Sequence, residues 1–313
     1  MFAYAVRRIL LAVPTAFLAL TTVFLIMHVA PGDPTAVILG PDARADARER
    51  LRKELDLDRP ILESYFAYLT DISRADLGNS LVNRESVVHL ILSNLPYTID
   101  LAILGMFMSW AIGIPLGIVS ALHRNRLIDY MSRVFALVGL SVPGFILGLL
   151  LLIIFALRLR WFPIQGAGDL YLPLSRLHHL FLPGLSLGLF LAAFTTRLTR
   201  ASLLDVLQED YIRTARAKGL KERTVLYQHA LRNALLPVAT ISGIYLAHTL
   251  GGVVLLEAVF SRPGIGSLLA QAITSRDFPV IQGTIVCFSL TLVLVNMLVD
   301  LSYTIIDPRV RFQ

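Results

Sequence analysis

Residues 203–237 read LLDVLQEDYIRTARAKGLKERTVLYQHALRNALLP. This is the longest polar, helix-favouring interval between two apolar runs in the last two-thirds of the chain. The run before it, 180–199, and the run after it, 238–260, each have about the 20 residues that cross a hydrocarbon core. A polar interval between two such runs is a loop at a membrane face, so this stretch decides the fold class: an all-α membrane protein.

Composition agrees. Hydrophobic residues make up 56% of the chain and charged residues 16%, against roughly 25% charged in a soluble domain. The formal charge of +6 comes from 28 Lys and Arg against 22 Asp and Glu. Its placement speaks for membrane topology and against a nucleic-acid partner. Cys287 is the single cysteine, which excludes an internal disulfide and a multi-cysteine metal site. It stands in an apolar run, where a packed thiol is expected.

Working outward, six spans are expected, at about 9–30, 99–122, 133–157, 180–199, 238–260 and 280–306. The first follows Arg7 and Arg8, is too long for a signal-peptide core and has no small-residue cleavage site. It reads as an uncleaved signal anchor. Residues 31–96 are polar and acid-rich and open on the turn-former Pro31-Gly32-Asp33-Pro34. Within them 43–57 reads as an amphipathic helix with Leu51 and Leu55 on one face, and Tyr65, Phe66 and Tyr68 are expected to pack beneath it. The expected organisation is an anchor at 1–30, an extracytoplasmic segment at 31–96 and a five-helix core at 97–313, with 203–237 as its cytoplasmic loop. Gly113/Gly117, Gly144/Gly148 and Gly184/Gly188 are small-xxx-small pairs that let helix backbones approach closely. Pro115, Pro143 and Pro183 imply kinks.

Charge sets the orientation. With the N-terminus inside, 15 of the 28 Lys and Arg are cytoplasmic, and eight of the remainder lie in 31–96. Segments beyond roughly 60 residues escape the positive-inside rule, which leaves 15 inside against 5 outside. Both termini are then cytoplasmic.

Polar residues at membrane depth are functional candidates. His248 lies mid-span, and Asp100, Glu257 and Asp300 lie nearer span ends. They do not make the run of carboxylates that an ion-coupled secondary transporter needs, nor are broken helices repeated in two halves. Gly184-Leu185-Ser186-Leu187-Gly188 matches G-x-S-x-G, and with His248 as base it would describe an intramembrane serine protease. That motif needs a strand–turn–helix setting, and here it sits in an apolar helical run. No phosphate-cradling G-x-x-x-x-G-K-[ST] and no H-E-x-x-H occurs.

Within the opening stretch, Leu203, Leu207, Tyr211 and Ala215 fall on one helical face. Ala215, Ala217 and Gly219 are small enough for close approach to another protein, and Arg213, Arg216 and Lys218 are suited to water, headgroups or partner acids. Gly219 is placed to end the helix. A second helix is expected at 222–236, with Pro237 at the membrane.

Tyr211-Ile212-Arg213-Thr214-Ala215-Arg216-Ala217-Lys218-Gly219-Leu220, followed by His229-Ala230-Leu231-Arg232-Asn233-Ala234-Leu235-Leu236-Pro237, resembles the EAA loop of binding-protein-dependent ABC importers, specifically of the peptide/nickel permease family. Pro31-Gly32-Asp33-Pro34 resembles the B-type permease of the pair. The run from Gly251-Gly252 through Glu257, Phe260 and Pro263-Gly264-Ile265-Gly266 to Arg276-Asp277-Phe278-Pro279-Val280-Ile281-Gln282 resembles the family's fifth-to-sixth span region. Asp307-Pro308-Arg309-Val310-Arg311 resembles its C-terminus. Two departures stand out: Arg213-Thr214-Ala215 takes the place of Glu-Ala-Ala, and the distance from Gly219 to Leu236-Pro237 is longer than in the general motif.

The resemblance implies a type I ABC importer permease of six transmembrane helices in the bacterial inner membrane, without catalysis of its own. It implies a homologous second permease, two cytoplasmic ATPase subunits that bind ATP and Mg, and an extracytoplasmic solute-binding protein. No cofactor is expected on this chain. The ATPases would dock on Asp210, Tyr211, Thr214, Ala215, Arg216, Ala217, Lys218 and Gly219, and the binding protein would touch Pro31, Gly32, Asp33 and Pro34. Di- or oligopeptides are the implied solutes, with nickel chelates or glutathione as family alternatives.

Overall fold

The computed structural model describes residues 2–29, 44–46, 49, 60–169 and 172–306, with side chains described over 10–26, 44–46, 49, 60–169, 172–245 and 253–297. The turn at 31–34, most of the expected helix at 43–57 and the motif at 307–311 lie outside the described residues.

The helices are α1 (Phe2–Val29), α2 (Ile61–Ser73), α3 (Val87–Leu122), α4 (Leu127–Ser141), α5 (Gly144–Leu151), α6 (Pro173–Val206), α7 (Asp210–Ala217), α8 (Leu231–Val259), α9 (Ile265–Ser275) and α10 (Phe278–Ile306). The expected spans fall on α1, α3, α4 with α5, α6, α8 and α10. Among the described residues α3, α6 and 278–297 of α10 are each long and apolar enough to cross a bilayer. The third expected span, 133–157, is not one rod: α4 and α5 meet at 100°. Val142 is extended (φ −98°, ψ 121°) and Pro143 follows it (φ −56°, ψ 139°). Proline disfavours helical backbone in the residue before it and has no N–H to continue the ladder. A new helix therefore starts there, with the Ile146 N–H donating to the Pro143 carbonyl at 3.0 Å. Pro183 and Pro237, in contrast, lie inside continuous helices.

Contacts divide the chain into two units, Met1–Thr98 with Pro263–Met297, and Ile99–Arg262 with Leu298–Gln313. In the first, Val87, Ile91, Ile265, Ala272 and Val280 form a buried core. Gly283 admits the start of α3, since a Cβ on it would stand 2.5 Å from Val87 Cγ1. Buried Asp277 accepts hydrogen bonds from the Ser80 hydroxyl and the Leu81 N–H, tying the turn before α3 to the turn before α10. The helix expected above Tyr65 and Tyr68 lies mostly outside the described residues. Their rings lie 5.1 and 5.4 Å from that of Phe24, so the aromatic face of α2 is spent on α1.

In the second unit α3 and α6 run parallel in a fixed register. A Cβ at Gly105 would strike Leu187, one at Gly113 would lie 2.7 Å from Thr195 Cβ, and one at Gly117 would lie 2.6 Å from Thr199 Cβ. From the other side Gly184 faces Leu104 and Gly188 faces Met108. Within the same seam the Ser109 and Thr195 hydroxyls share a 2.8 Å hydrogen bond. The antiparallel α4 approaches through Gly139, whose added Cβ would sit 2.6 Å from that of Ala193. Leu101, Leu152, Leu182, Leu187, Leu191 and Leu256 belong to the core that these approaches enclose.

A contrast between two glycines tests this packing. Gly113→Ala meets both Thr195 Cβ and the Ala192 carbonyl oxygen at 2.9 Å, whereas Gly144→Ala has nothing nearer than Phe190 Cβ at 3.6 Å. Thermal unfolding of the detergent-purified protein should show Gly113→Ala destabilised by about 1–3 kcal/mol, the range for overpacking, and Gly144→Ala close to wild type.

Candidate functional site

The loop at 203–237 is built differently from one long helix. α6 ends at Val206, and a turn through Leu207, Gln208 and Glu209 follows, closed by the Glu209 N–H donating to the Val206 carbonyl at 3.1 Å. Glu209 is extended (φ −65°, ψ 146°) and α7 starts at Asp210. Acids are favoured at a helix N-terminus by its dipole, so Gln208-Glu209-Asp210 begins a new helix where continuous periodicity had been expected. The break also rotates the buried face. Ile212 (0% exposed) and Ala215 (7%) turn inward against Leu203, Val225, Leu226, Ala230 and Ala234, while Tyr211 turns out.

Tyr211 is fixed at its outer position, its hydroxyl accepting from Asn233 Nδ2 of α8 at 2.8 Å. The C-terminus of α7 closes with two reverse bonds. The Gly219 N–H donates to the Arg216 carbonyl at 2.9 Å and the Leu220 N–H to the Ala215 carbonyl at 3.4 Å. This Schellman geometry needs a left-handed residue between, and Gly219 supplies it with φ +76° and no heavy atom within 4 Å of where a Cβ would stand. Arg216 reaches across this turn to Glu222, donating from Nη2 to Oε1 at 2.7 Å and from Nε to Oε2 at 3.2 Å. That bond holds the Glu222 carboxyl below its usual range. Asp210 and Arg213 pair across one turn at 3.3 Å.

The expected second helix, 222–236, is not separate from the following span. A single turn at Glu222–Thr224 passes into a π-helical turn, Val225–Ala230, and then into α8, which continues through Pro237 to Val259. Pro237 is therefore interior to a helix and does not mark its end.

Seven of the eight residues expected to dock a partner are exposed along one short segment: Asp210, Tyr211, Thr214, Arg216, Ala217, Lys218 and Gly219. Ala215 is not among them, because it roots the helix in the chain's own core. Pro31, Gly32, Asp33 and Pro34 lie outside the described residues.

The unit that carries α7 also holds a buried ion pair that the sequence pattern does not announce. Asp129, in the first turn of α4, is fully buried. Arg200 of α6 grips it with two bonds, Nε to Oδ1 at 2.7 Å and Nη2 to Oδ2 at 2.9 Å. The Ser120 hydroxyl of α3 donates to Oδ1 at 2.7 Å and the Asn125 N–H to Oδ2 at 2.9 Å. One carboxylate thus joins α3, α4 and α6. The available signal was charge alone, since Asp129 and Arg200 stand near the same membrane face on helices 71 residues apart in sequence. A second cluster holds Asp100, whose Oδ2 accepts from Nε of Arg176 at 2.7 Å and from the same guanidinium's Nη2, with Arg262 Nη2 3.8 Å away.

Of the protease constellation only the Ser186 side chain is described. Ser186 is fully buried in α6 and its hydroxyl donates to the Gly144 carbonyl at 2.7 Å; the His248 side chain lies outside those described.

Against this geometry stand the likenesses to known proteins. The family model described as binding-protein-dependent transport system inner membrane component matches residues 113–312, and the corresponding N-terminal model matches residues 1–102. The glutathione transport system permease protein GsiC of Escherichia coli is 41% identical over 313 residues, covering all of both chains. Its counterpart in Pectobacterium atrosepticum is 42% identical over the same length. In three dimensions, an inward-facing structure of the MetNI methionine ABC transporter superposes with a TM-score of 0.57 at 18% identity, over 70% of this chain and 96% of that one. This last likeness concerns the fold.

The Asp129–Arg200 pair gives a sharp test. Asp129→Asn removes the charge that a largely buried Arg200 faces and should cost about 3–5 kcal/mol, the usual effect of stranding one member of a buried pair. Replacing both, as Asp129→Leu with Arg200→Met, should recover most of that loss in the unfolding midpoint of the purified chain.

Proposed function

This chain belongs to the family of binding-protein-dependent transport system inner membrane components, and on that premise we propose that it moves glutathione or short peptides inward, driven by separate ATPase subunits docked on α7. The observation that carries this reading is the way α7 is mounted. It has an exposed polar face, and its two inward residues, Ile212 and Ala215, sit among Leu203 from the end of α6, Ala230 of the π-helical turn and Ala234 from the start of α8. A displacement of α7 reaches both spans at once.

The mechanism follows from that mounting. Closure of two cytoplasmic ATPases, which bind ATP and Mg, pulls on the surface formed by Asp210, Tyr211, Thr214, Ala217, Lys218 and Gly219. Arg216 bonds to Glu222, which keeps the two sides of the Gly219 turn together while the segment moves. The Asp129–Arg200 pair carries the movement from α6 to α4 and α3. The packed helices then exchange an inward-open for an outward-open arrangement, a rigid-body transition between two discrete packings. A second, homologous permease completes the pathway, and both termini of this chain face the cytoplasm. An external binding protein delivers the solute, meeting the 31–96 segment around Pro31, Gly32, Asp33 and Pro34. The solute class is supported by the identity, over their full length, to permeases named for glutathione transport.

Gly219→Asp should leave the protein in the membrane at normal level and leave its ATPase partners able to hydrolyse ATP, yet abolish solute-dependent uptake. The residue forces φ +76° on a side chain, which opens the turn and misplaces the docking surface. Uptake of labelled glutathione and of a labelled dipeptide into cells carrying the complete transporter measures both points. Normal uptake in the variant sinks the docking role. Accumulation of neither solute by wild type sinks the solute class and leaves the docking role standing.

A further inference from the structure

A cavity of about 410 Å³ opens between α4 and α6, lined by Ser132, Arg133, Ala136, Leu137, Leu140, Thr196, Arg197 and Arg200, together with Ser120 of α3. We propose that this cavity binds an anionic phospholipid of the cytoplasmic leaflet, its phosphate between Arg133 and Arg197 and its acyl chains along Ala136, Leu137 and Leu140. This rests on the reading that the Asp129–Arg200 end of these helices faces the cytoplasm.

Charge complementarity names the occupant. Three guanidiniums face the cavity and one carboxylate, Asp129, lies beside it. Arg200 already takes both oxygens of that carboxylate. Arg133 stands 3.7 Å from it, is 45% exposed and lies over the Tyr130 ring at 4.3 Å, so most of its donor capacity faces outward. Arg197 is exposed and has no ion pair within 4.0 Å among the described residues. The local excess is two positive charges.

The hydroxyls of the lining are all directed elsewhere. Ser120 donates to Asp129, Ser132 to the Ile128 carbonyl and Thr196 to the Ala192 carbonyl. The donors left for a ligand are therefore guanidinium N–H groups, which match a phosphate and its three or more acceptor oxygens.

The axial order matches a lipid rather than a free anion. α4 and α6 are antiparallel, with Asp129 opposite Arg200 and Gly139 opposite Ala193. Arg133 and Arg197 are thus nearly level, one helical turn deeper than the buried pair. The next lining residues along α4 are apolar, and Leu137 is 68% exposed on this outer face. Basic residues at the interface followed by apolar wall toward the hydrocarbon are the order of a phospholipid's own parts. An occupant here would clasp α4 to α6 on the outer side, complementing the Asp129 bonds within.

The test is native mass spectrometry of the assembled transporter released from detergent, titrated with cardiolipin and with phosphatidylcholine of the same acyl chains. Cardiolipin adducts should persist at a lower lipid concentration than phosphatidylcholine adducts. The double variant Arg133→Gln with Arg197→Gln should lower that preference by about 30-fold, a factor of about 5 for each arginine. Arg197→Lys, which keeps the charge, should retain most of it, and Leu137→Trp, which fills the apolar wall, should reduce it while both arginines remain. Wild type without anionic preference, as a cavity covered by the second permease subunit would give, overturns the assignment. So does a preference unchanged in the double variant, or one abolished by millimolar inorganic phosphate. The orientation is checked separately by labelling Arg124→Cys in a Cys287→Ser background. Modification from the outer face of intact cells would overturn the leaflet assignment, whatever the lipid result.

Discussion

In a bilayer two apolar helices gain little by exchanging lipid for one another, so their association rests on how closely their backbones approach. That constraint governs the second unit of this protein. Glycines at 105, 113, 117, 184 and 188 place α3 and α6 so near that a single methyl group has no room at any of them. Close approach brings hydroxyls into range as well: Ser109 meets Thr195 in the same seam, and each satisfies a group that hydrocarbon would leave bare. The register is consequently discrete. One residue of slippage would set Leu187 or Met108 against backbone, so the seam moves as a rigid block and does not shear.

Two buried or half-buried carboxylates anchor ionic clusters around that block. Asp129 holds three helices at the face where α7 sits, and Asp100 takes up Arg176 of α6, with Arg262, just past α8, 3.8 Å away. Taking a charge out of water costs several kcal/mol unless geometry returns it. The two-pronged Arg200 grip, with a hydroxyl and a backbone N–H completing the carboxylate, meets that condition. Such pairs add position more than stability: they leave few alternative ways to stack α3, α4 and α6.

Much of this was legible beforehand because the governing signals are local. Apolar run length located the spans, and the small-xxx-small pairs at 113/117 and 184/188 named two faces that meet. Gly144, the outer member of the third pair, meets Phe190 only at ordinary contact distance, so the same pattern there carries less packing. What was not legible depends on tertiary partners. Pro143 signalled a kink, but the size of the bend depends on whether Val142 stays helical, and it does not. Tyr65 and Tyr68 have an aromatic partner in α1, Phe24, that periodicity alone does not reveal. Asp129 and Arg200 are far apart in sequence, and charge alone gives no pairing.

The segment 210–219 shows both behaviours in ten residues. Its boundary glycine was readable, since only a left-handed residue satisfies the Leu220 and Gly219 N–H groups together. Its inward face was not, because continuous 3.6-residue counting from Leu203 selects Tyr211, whereas the turn at 207–209 resets the count and selects Ile212. The reset also bears on the missing Glu of the general motif. Arg213 takes that position, but its guanidinium is paired to Asp210 one turn earlier, and Arg216 is paired to Glu222. The two arginines of α7 are thus held by acids of this chain, and Lys218 is left as the cation with no such partner among the described residues of the segment. On the proposed docking role, a partner surface meeting α7 would face the paired arginines, Lys218 and a bare glycine turn. Shape at Ala217–Gly219 would then set the fit more than a single ionic contact, so that role would not require the acidic residue.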